Sequence, residues 1–105
     1  MSTVVITGAN RGIGLELAKQ LRARGDDIIA LCRKASPELQ ALDVRIEEGI
    51  DVVADDLEKT LKSRLANVQI DLLINNAGIL EYNELDDLDL ESIRRQFDVN
   101  AVGPL

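Results

Sequence analysis

Histidine and tryptophan are missing from this chain, and cysteine, methionine, phenylalanine and tyrosine each occur once in 105 residues. Without histidine, the commonest general base and the commonest metal ligand are both gone. A single cysteine, Cys32, excludes an internal disulfide and a cysteine cluster for zinc. It sits in an apolar stretch and reads as a small buried residue, not a reactive thiol. Positive charge is also scarce: 12 Lys and Arg stand against 19 Asp and Glu, a net charge of −7. That balance argues against nucleic acid or an anionic membrane as a main partner. No apolar run approaches the length of a membrane span. The single cysteine fits a reduced, cytoplasmic setting, which is the expected localisation, and residues 1–7 lack the basic start and long apolar stretch of a signal peptide. Repeats and low-complexity segments are absent too. What is present, 46% hydrophobic and 30% charged residues, suits one small folded domain with a modest core.

The most informative stretch is Thr7-Gly8-Ala9-Asn10-Arg11-Gly12-Ile13-Gly14. Thr3-Val4-Val5-Ile6 ahead of it is apolar and β-branched, as a buried strand should be. Leu15 to Leu21 behind it reads as a helix. A glycine-rich turn between strand and helix can hold a phosphate, because free N–H groups and the helix dipole both point at it. In that role Gly8 turns the chain, Gly12 lets a pyrophosphate approach, and Gly14 lets the helix pack close to the sheet. The spacing is Gly-x-x-x-Gly-x-Gly, not Gly-x-Gly-x-x-Gly, and the alternative is a tight turn that binds nothing.

Further along, the first helix spans about Gly12 to Arg24, with Ile13, Leu17, Ala18 and Leu21 on one face. Asp27 to Cys32 is a second strand, which completes a βαβ unit with parallel strands. Arg33-Lys34 ends that strand beside the glycine turn. An acid there would accept from a ribose 2′-hydroxyl; a base suits a 2′-phosphate instead. Arg11 adds positive charge from the turn. One charge-assisted hydrogen bond contributes about 1.5–3 kcal/mol, enough to favour NADP over NAD tenfold. The alternative is that Arg33 and Lys34 are solvated loop charges. Pro37 suits the start of a short helical turn. Val44-Arg45-Ile46 and Ile50-Asp51-Val52-Val53 are both candidates for a third strand, with a bulge or turn at Glu47-Glu48-Gly49. Asp51-Val52 stands where an adenine contact or an ordinary strand end would fall. Asp55 and Glu58 make a capping-box pattern ahead of a helix with Leu57, Leu61 and Leu65 on one face. Ile70 to Ile74 is a fourth strand suited to a sheet covered on both faces, and it runs into Asn75-Asn76-Ala77-Gly78. Strands one and four therefore point their ends at one crevice.

The acidic run Glu81, Glu84, Asp86, Asp87, Asp89 and Glu91 reads as a solvated loop entering a helix N-terminus, in preference to a metal site. The last helix starts near Asp89 or Leu90, with Ile93, Phe97, Asn100 and Ala101 along one side. Pro104 has no N–H to give to the Asn100 carbonyl, so the helix should kink and leave that carbonyl free to hold a water. Alternatively the helix ends at Gly103-Pro104.

These features together resemble the N-terminal half of a short-chain dehydrogenase/reductase. Thr7 to Gly14 matches that family's TGxxxGxG turn, and Asn75-Asn76-Ala77-Gly78 its NNAG stretch. Asp51-Val52 matches its adenine-contacting pair, and Asn100 falls at its catalytic Asn, whose carbonyl holds a relay water. The chain is also similar to the small C-factor-like members. The resemblance implies a partial Rossmann-type doubly wound parallel α/β sheet of order 3-2-1-4. Residues 1–105 would form the N-terminal part of an NAD(P)-binding domain, ending inside the helix that carries Asn100. It implies an NADP(H)-dependent oxidoreductase, with NAD(H) less favoured, acting on a small carbonyl or alcohol. Gly8, Asn10, Arg11, Gly12, Ile13 and Gly14 would hold the pyrophosphate and ribose end. Arg11 and Arg33 would bind the 2′-phosphate, Asp51 and Val52 the adenine, and Asn76, Ala77 and Gly78 the second ribose. Asn100 is the catalytic candidate.

The family's catalytic Ser and Tyr-x-x-x-Lys have no match here. Tyr82 is the one tyrosine, and position 86 is Asp86 instead of Lys, so Tyr82 is not nominated as the acid. A truncated chain of this kind can also be a catalytically silent dinucleotide-binding or interaction module. Its fourth strand would be an exposed apolar edge, so self-association into a homo-oligomer is expected.

Overall fold

Alternation along the first strand decides how the layers form. In the computed structural model, which describes residues 2–81 and 84–105, β1 (Thr3–Thr7) lies at the centre of the core. Val4 and Ile6 pack on one side of the sheet and Val5 on the other, and none is more than 1% exposed. Each face then needs its own cover. Tyr82, set aside above as a proton donor, lies outside the described residues.

Four parallel strands run in the order β3-β2-β1-β4, the order expected. β2 (Asp27–Leu31) pairs with β1 from Thr3 opposite Asp27 to Thr7 opposite Leu31. β3 is Arg45–Glu47, so the first of the two candidate segments is the strand. Ile50 from the second candidate is buried beneath the sheet instead. Between them the ladder is irregular. Cys32 donates its N–H to the Glu47 carbonyl (3.2 Å), and its own carbonyl accepts from Ile50 N–H (3.0 Å). A regular parallel ladder would return that bond one residue earlier, so Glu48-Gly49 is a bulge and β2 stops at Leu31.

β4 (Leu72–Ile74) is shorter than expected because Asp71 interrupts the pairing. Its N–H donates to the Thr3 carbonyl (2.9 Å), while its carboxylate accepts from Thr3 N–H (2.8 Å). The strand is also not covered on both faces: Leu72 is 46% and Leu73 52% exposed. An apolar run tolerates two covers but does not create them; β4 has β1 on one side and an open edge on the other.

One face is closed by α1 (Gly12–Arg24), through Ala18 and the flanking Leu17 and Leu21. Ile13 departs from this face. It is 75% exposed and lies at the helix entrance, too early to reach the sheet. α2 (Pro37–Gln40) adds Leu39, fully buried, and is capped by the Ser36 hydroxyl, which accepts from Leu39 N–H (3.2 Å). The other face is closed by α3 (Leu57–Arg64), whose Leu57, Leu61 and following Leu65 pack on Val5, Ile29, Leu31 and Ile50. The capping box at Asp55 and Glu58 does not form. The cap position is Asp56, without a side-chain bond, because a backbone turn from Leu57 N–H to the Ala54 carbonyl (3.1 Å) shifts the helix start.

α4 (Leu90–Phe97) begins where expected. Its cap is the Asp89 carboxylate, which accepts from Glu91 N–H and Ser92 N–H. Past Phe97 the helix does not simply kink. Residues Asp98–Val102 widen into a π turn, with Gly103 N–H donating to the Asp98 carbonyl (2.7 Å). Among the described residues no helix is long and apolar enough to cross a membrane.

Candidate functional site

Parallel strands deliver their carboxyl ends to one edge of the sheet, and a cleft of about 540 Å³ opens there. Thr7 and Leu31, the last residues of β1 and β2, reach it directly. The turn after β1 forms one wall, residues 76–79 after β4 another, and Asp51 and Val52 the side nearest β3.

The glycine turn is built by close approach. Gly8 has φ +65°, and a methyl there would stand 2.8 Å from the Ala77 Cα. A methyl on Gly14 would collide with the Gly8 carbonyl oxygen and the Asn76 amide nitrogen. The two turns therefore touch through bare backbone at Gly8 and Ala77, and through the Asn76 side chain at Gly14. At Gly12 (φ +57°) a methyl would meet nothing within 4 Å, so the turn leaves open space over the start of α1. That start is uncapped: Arg11 makes no side-chain cap bond, and the first turn has no acid. Its N–H groups remain available to an anion.

Electrostatics at the cleft oppose those of the chain as a whole. Arg11, Arg33 and Lys34 line it, and among the described residues no ion pair neutralises any of them. Their loops are tied together: Asn10 donates its side-chain amide to the Lys34 carbonyl (3.3 Å), and the Ser36 hydroxyl donates to the Asn10 carbonyl. Asp51 supplies the acid among the cleft-lining residues, and its carboxylate accepts from Val53 N–H (3.0 Å). Cys32 lines the cleft as well, only 4% exposed. Burial, with the Glu48 charge, pushes its thiol pKa up, so it is a poor nucleophile.

Most residues singled out in the sequence meet here. Gly8, Asn10, Arg11, Gly12, Ile13, Arg33, Asp51, Val52, Asn76, Ala77 and Gly78 all border the cleft. Ile13 is exposed because it belongs to this wall. Gly14 and Asn100 do not border it. Gly14 lies buried beneath the turn. Asn100 grips the chain just past Gly78: its amide donates to the Ile79 carbonyl and its oxygen accepts from Ile79 N–H, both at 2.8 Å. Gly78 makes room for that grip, since a methyl there would stand 3.1 Å from the Asn100 amide oxygen. The Asn100 carbonyl loses its usual donors. Pro104 has no N–H, and Leu105 N–H goes to the Val102 carbonyl (3.1 Å).

Three participants escaped the sequence reading. The Thr7 hydroxyl accepts from both Asn76 N–H and Ala77 N–H at 3.0 Å, joining the ends of β1 and β4. Thr7 heads the glycine motif, but nothing in that motif assigned its hydroxyl a partner. Val99 enters the cleft wall from the π turn. Glu81 is more than a solvated acid. Arg95 donates to it through Nε (2.8 Å) and a terminal nitrogen (2.6 Å), and the Ser92 hydroxyl donates too (2.8 Å). Those bonds, Arg95 first, hold the Glu81 carboxyl at about 2, below its usual 4.5. No local pattern links residues 81 and 95.

Comparison with known proteins agrees with this arrangement. The family model described as short chain dehydrogenase matches residues 2–105. A 1-hydroxy-2-glutathionyl-2-methyl-3-butene dehydrogenase from Rhodococcus sp. (strain AD45) is 37% identical over 107 residues, covering 100% of this chain and 47% of its own length. An NADPH-bound carbonyl reductase from chicken fatty liver superposes with a TM-score of 0.79 at 28% identity, over 99% of this chain and 47% of its own. Aldohexose dehydrogenase of Thermoplasma acidophilum gives 0.84 at 28% identity, over 98% and 40%. The chain thus spans about half, or less, of the length of the relatives it matches.

Two outcomes follow from the site's hydrogen bonds. Thr7→Val removes the acceptor of two N–H groups and should cost about 1–3 kcal/mol in urea unfolding, whereas Thr7→Ser, which keeps the oxygen, should cost under about 1 kcal/mol. Equal losses would mean that the hydroxyl is not what joins the strands. The Glu81 pKa is depressed in the fold, so its contribution is complete above the unfolded value of about 4.3 and is lost as pH falls through about 2. A carboxyl-carbon NMR titration should give that low midpoint, and a midpoint near 4.5 would show that the pair with Arg95 does not persist in solution.

Proposed function

The chain belongs to the short-chain dehydrogenase family, and from that premise we propose that it is the cofactor-holding half of an NADP(H)-dependent oxidoreductase. The supporting observation is the cleft: an uncapped helix start, an open glycine turn and three cations with no ion-pair partner among the described residues meet where parallel strands end. Such a site fits a dinucleotide phosphate. The backbone from Asn10 to Ile13 receives the pyrophosphate, and Arg11 with Arg33 receives a 2′-phosphate. Asp51 and Val52 take the adenine, and Asn76, Ala77 and Gly78 face the second ribose. The nicotinamide would supply hydride transfer to or from a carbonyl or alcohol. The chain's own part is to bind, orient and exclude water. The Asn100 carbonyl, short of backbone donors, is suited to hold a relay water.

A second reading has a specific basis. The tyrosine of this chain is followed four residues later by Asp86, not Lys, so no Tyr-x-x-x-Lys donor is present. The chain by itself would then bind a dinucleotide without turning it over. Exposed Leu72 and Leu73 on the β4 edge, with Ile93 and Phe97 on α4, further support self-association.

Calorimetric titration tests the cofactor reading. NADPH should bind at least about tenfold tighter than NADH, and Arg33→Ala should remove most of that preference. Equal affinities would refute NADP selectivity, and no binding of either would refute the cofactor role of this chain. NADPH oxidation with any carbonyl compound would overturn the silent-module reading. Light scattering over a concentration series should show mass above the monomer, and a monomer throughout would refute self-association.

A further inference from the structure

Residues 79–81 are fastened to the last helix at two separate points. Asn100 holds Ile79 by its backbone, and Arg95 holds Glu81 by its carboxylate. Gln96 donates to the Glu81 carbonyl as well (3.0 Å), and Ser92, only 3% exposed, seats the carboxylate against the helix. The cofactor reading uses the Asn100 carbonyl and leaves the Glu81 cluster without a task. We propose that Glu81 and Arg95 are positioning residues. They clamp the segment after Gly78 onto α4, so that the cleft wall at Gly78 and Ile79 keeps one geometry for the nicotinamide half of the cofactor. This inference rests on the dinucleotide reading above.

The chemistry of the pair suits the task. Two parallel N–H bonds from a guanidinium fix orientation as well as distance, which a point charge does not. Glu81 lies two residues past Ile79, and Arg95 lies five residues before Asn100, so the clamp and the amide grip share both of their elements. Releasing the clamp leaves the segment held by the Asn100 amide at Ile79 and by Gln96 at the Glu81 carbonyl, without the fork that fixes its orientation. It leaves the cations on the far side of the cleft in place, because Arg11 and Arg33 belong to other loops.

The test separates the two halves of the ligand. NADPH and adenosine 2′,5′-bisphosphate are titrated into this chain and into its Glu81→Gln and Arg95→Lys variants, and amide hydrogen exchange is followed at Ile79. Glu81→Gln should weaken NADPH about tenfold while changing the bisphosphate less than about twofold. Arg95→Lys, which keeps the charge but not the fork, should give a smaller loss of the same pattern. Exchange at Ile79 should accelerate in both variants, with Val5 and Ile29 in the central strands unchanged. Parallel losses on both ligands would reduce the pair to a structural role and overturn the proposal. Unchanged exchange at Ile79 would overturn it whatever the ligands do. If the unaltered chain binds neither ligand, the dinucleotide reading fails, and exchange at Ile79 alone decides the clamp.

Discussion

Bare backbone against bare backbone is the contact on which this structure depends. The turn after β1 and the turn after β4 approach so closely that a methyl at Gly8 would meet the Ala77 backbone, and one at Gly14 the Gly8 carbonyl and the Asn76 side chain. The Asn76 amide bridges them by donating to the Gly8 carbonyl (3.1 Å). Thr7 completes the junction from the strand side. Two loops that bring ligand-facing groups to one place are thereby locked together before any ligand arrives. This is preorganisation in the useful sense, since the ordering cost is met during folding and not during binding.

The charge distribution follows from the same junction. A chain of net charge −7 would repel a dinucleotide phosphate at long range. At the cleft the sign is reversed by Arg11, Arg33 and Lys34, placed on two loops joined through Asn10 and Ser36. Acidic groups concentrate elsewhere, in the stretch that leads into α4, where Asp89 caps the helix and Glu81 pairs with Arg95. Local placement decides what a site attracts, and net charge decides only the background.

The end of α4 departs from a regular helix in two ways. Pro104 cannot donate to the Asn100 carbonyl, and just before it the helix widens into a π turn, in which Gly103 reaches back to Asp98. That turn brings Val99 to the cleft and aims the Asn100 side chain at Ile79. Gly103 in turn lies against Val52, where a methyl would stand 2.9 Å from a side-chain carbon. The π turn therefore touches both ends of the cleft, the Val52 side and the Ile79 side.

Much of this was legible in the residues, and the reason is locality. Strand, glycine turn and first helix are adjacent in the chain, and each announces itself by pattern: β-branched runs, glycine spacing, leucines at helical intervals. The βαβ unit and the glycine-turn side of the cleft followed from those patterns, whereas the sheet order and the roles of Asp51, Val52 and Asn76 to Gly78 followed from the family resemblance they carry. What the tertiary structure alone decided joins residues far apart. Thr7 meets Asn76 across 69 positions, and Glu81 meets Arg95 across 14. Which of two extended segments becomes β3, whether Asp55 or Asp56 precedes α3, and whether Ile13 faces core or cleft also depend on neighbours supplied by other elements. Periodicity states which face a side chain takes, but only packing states what stands opposite it.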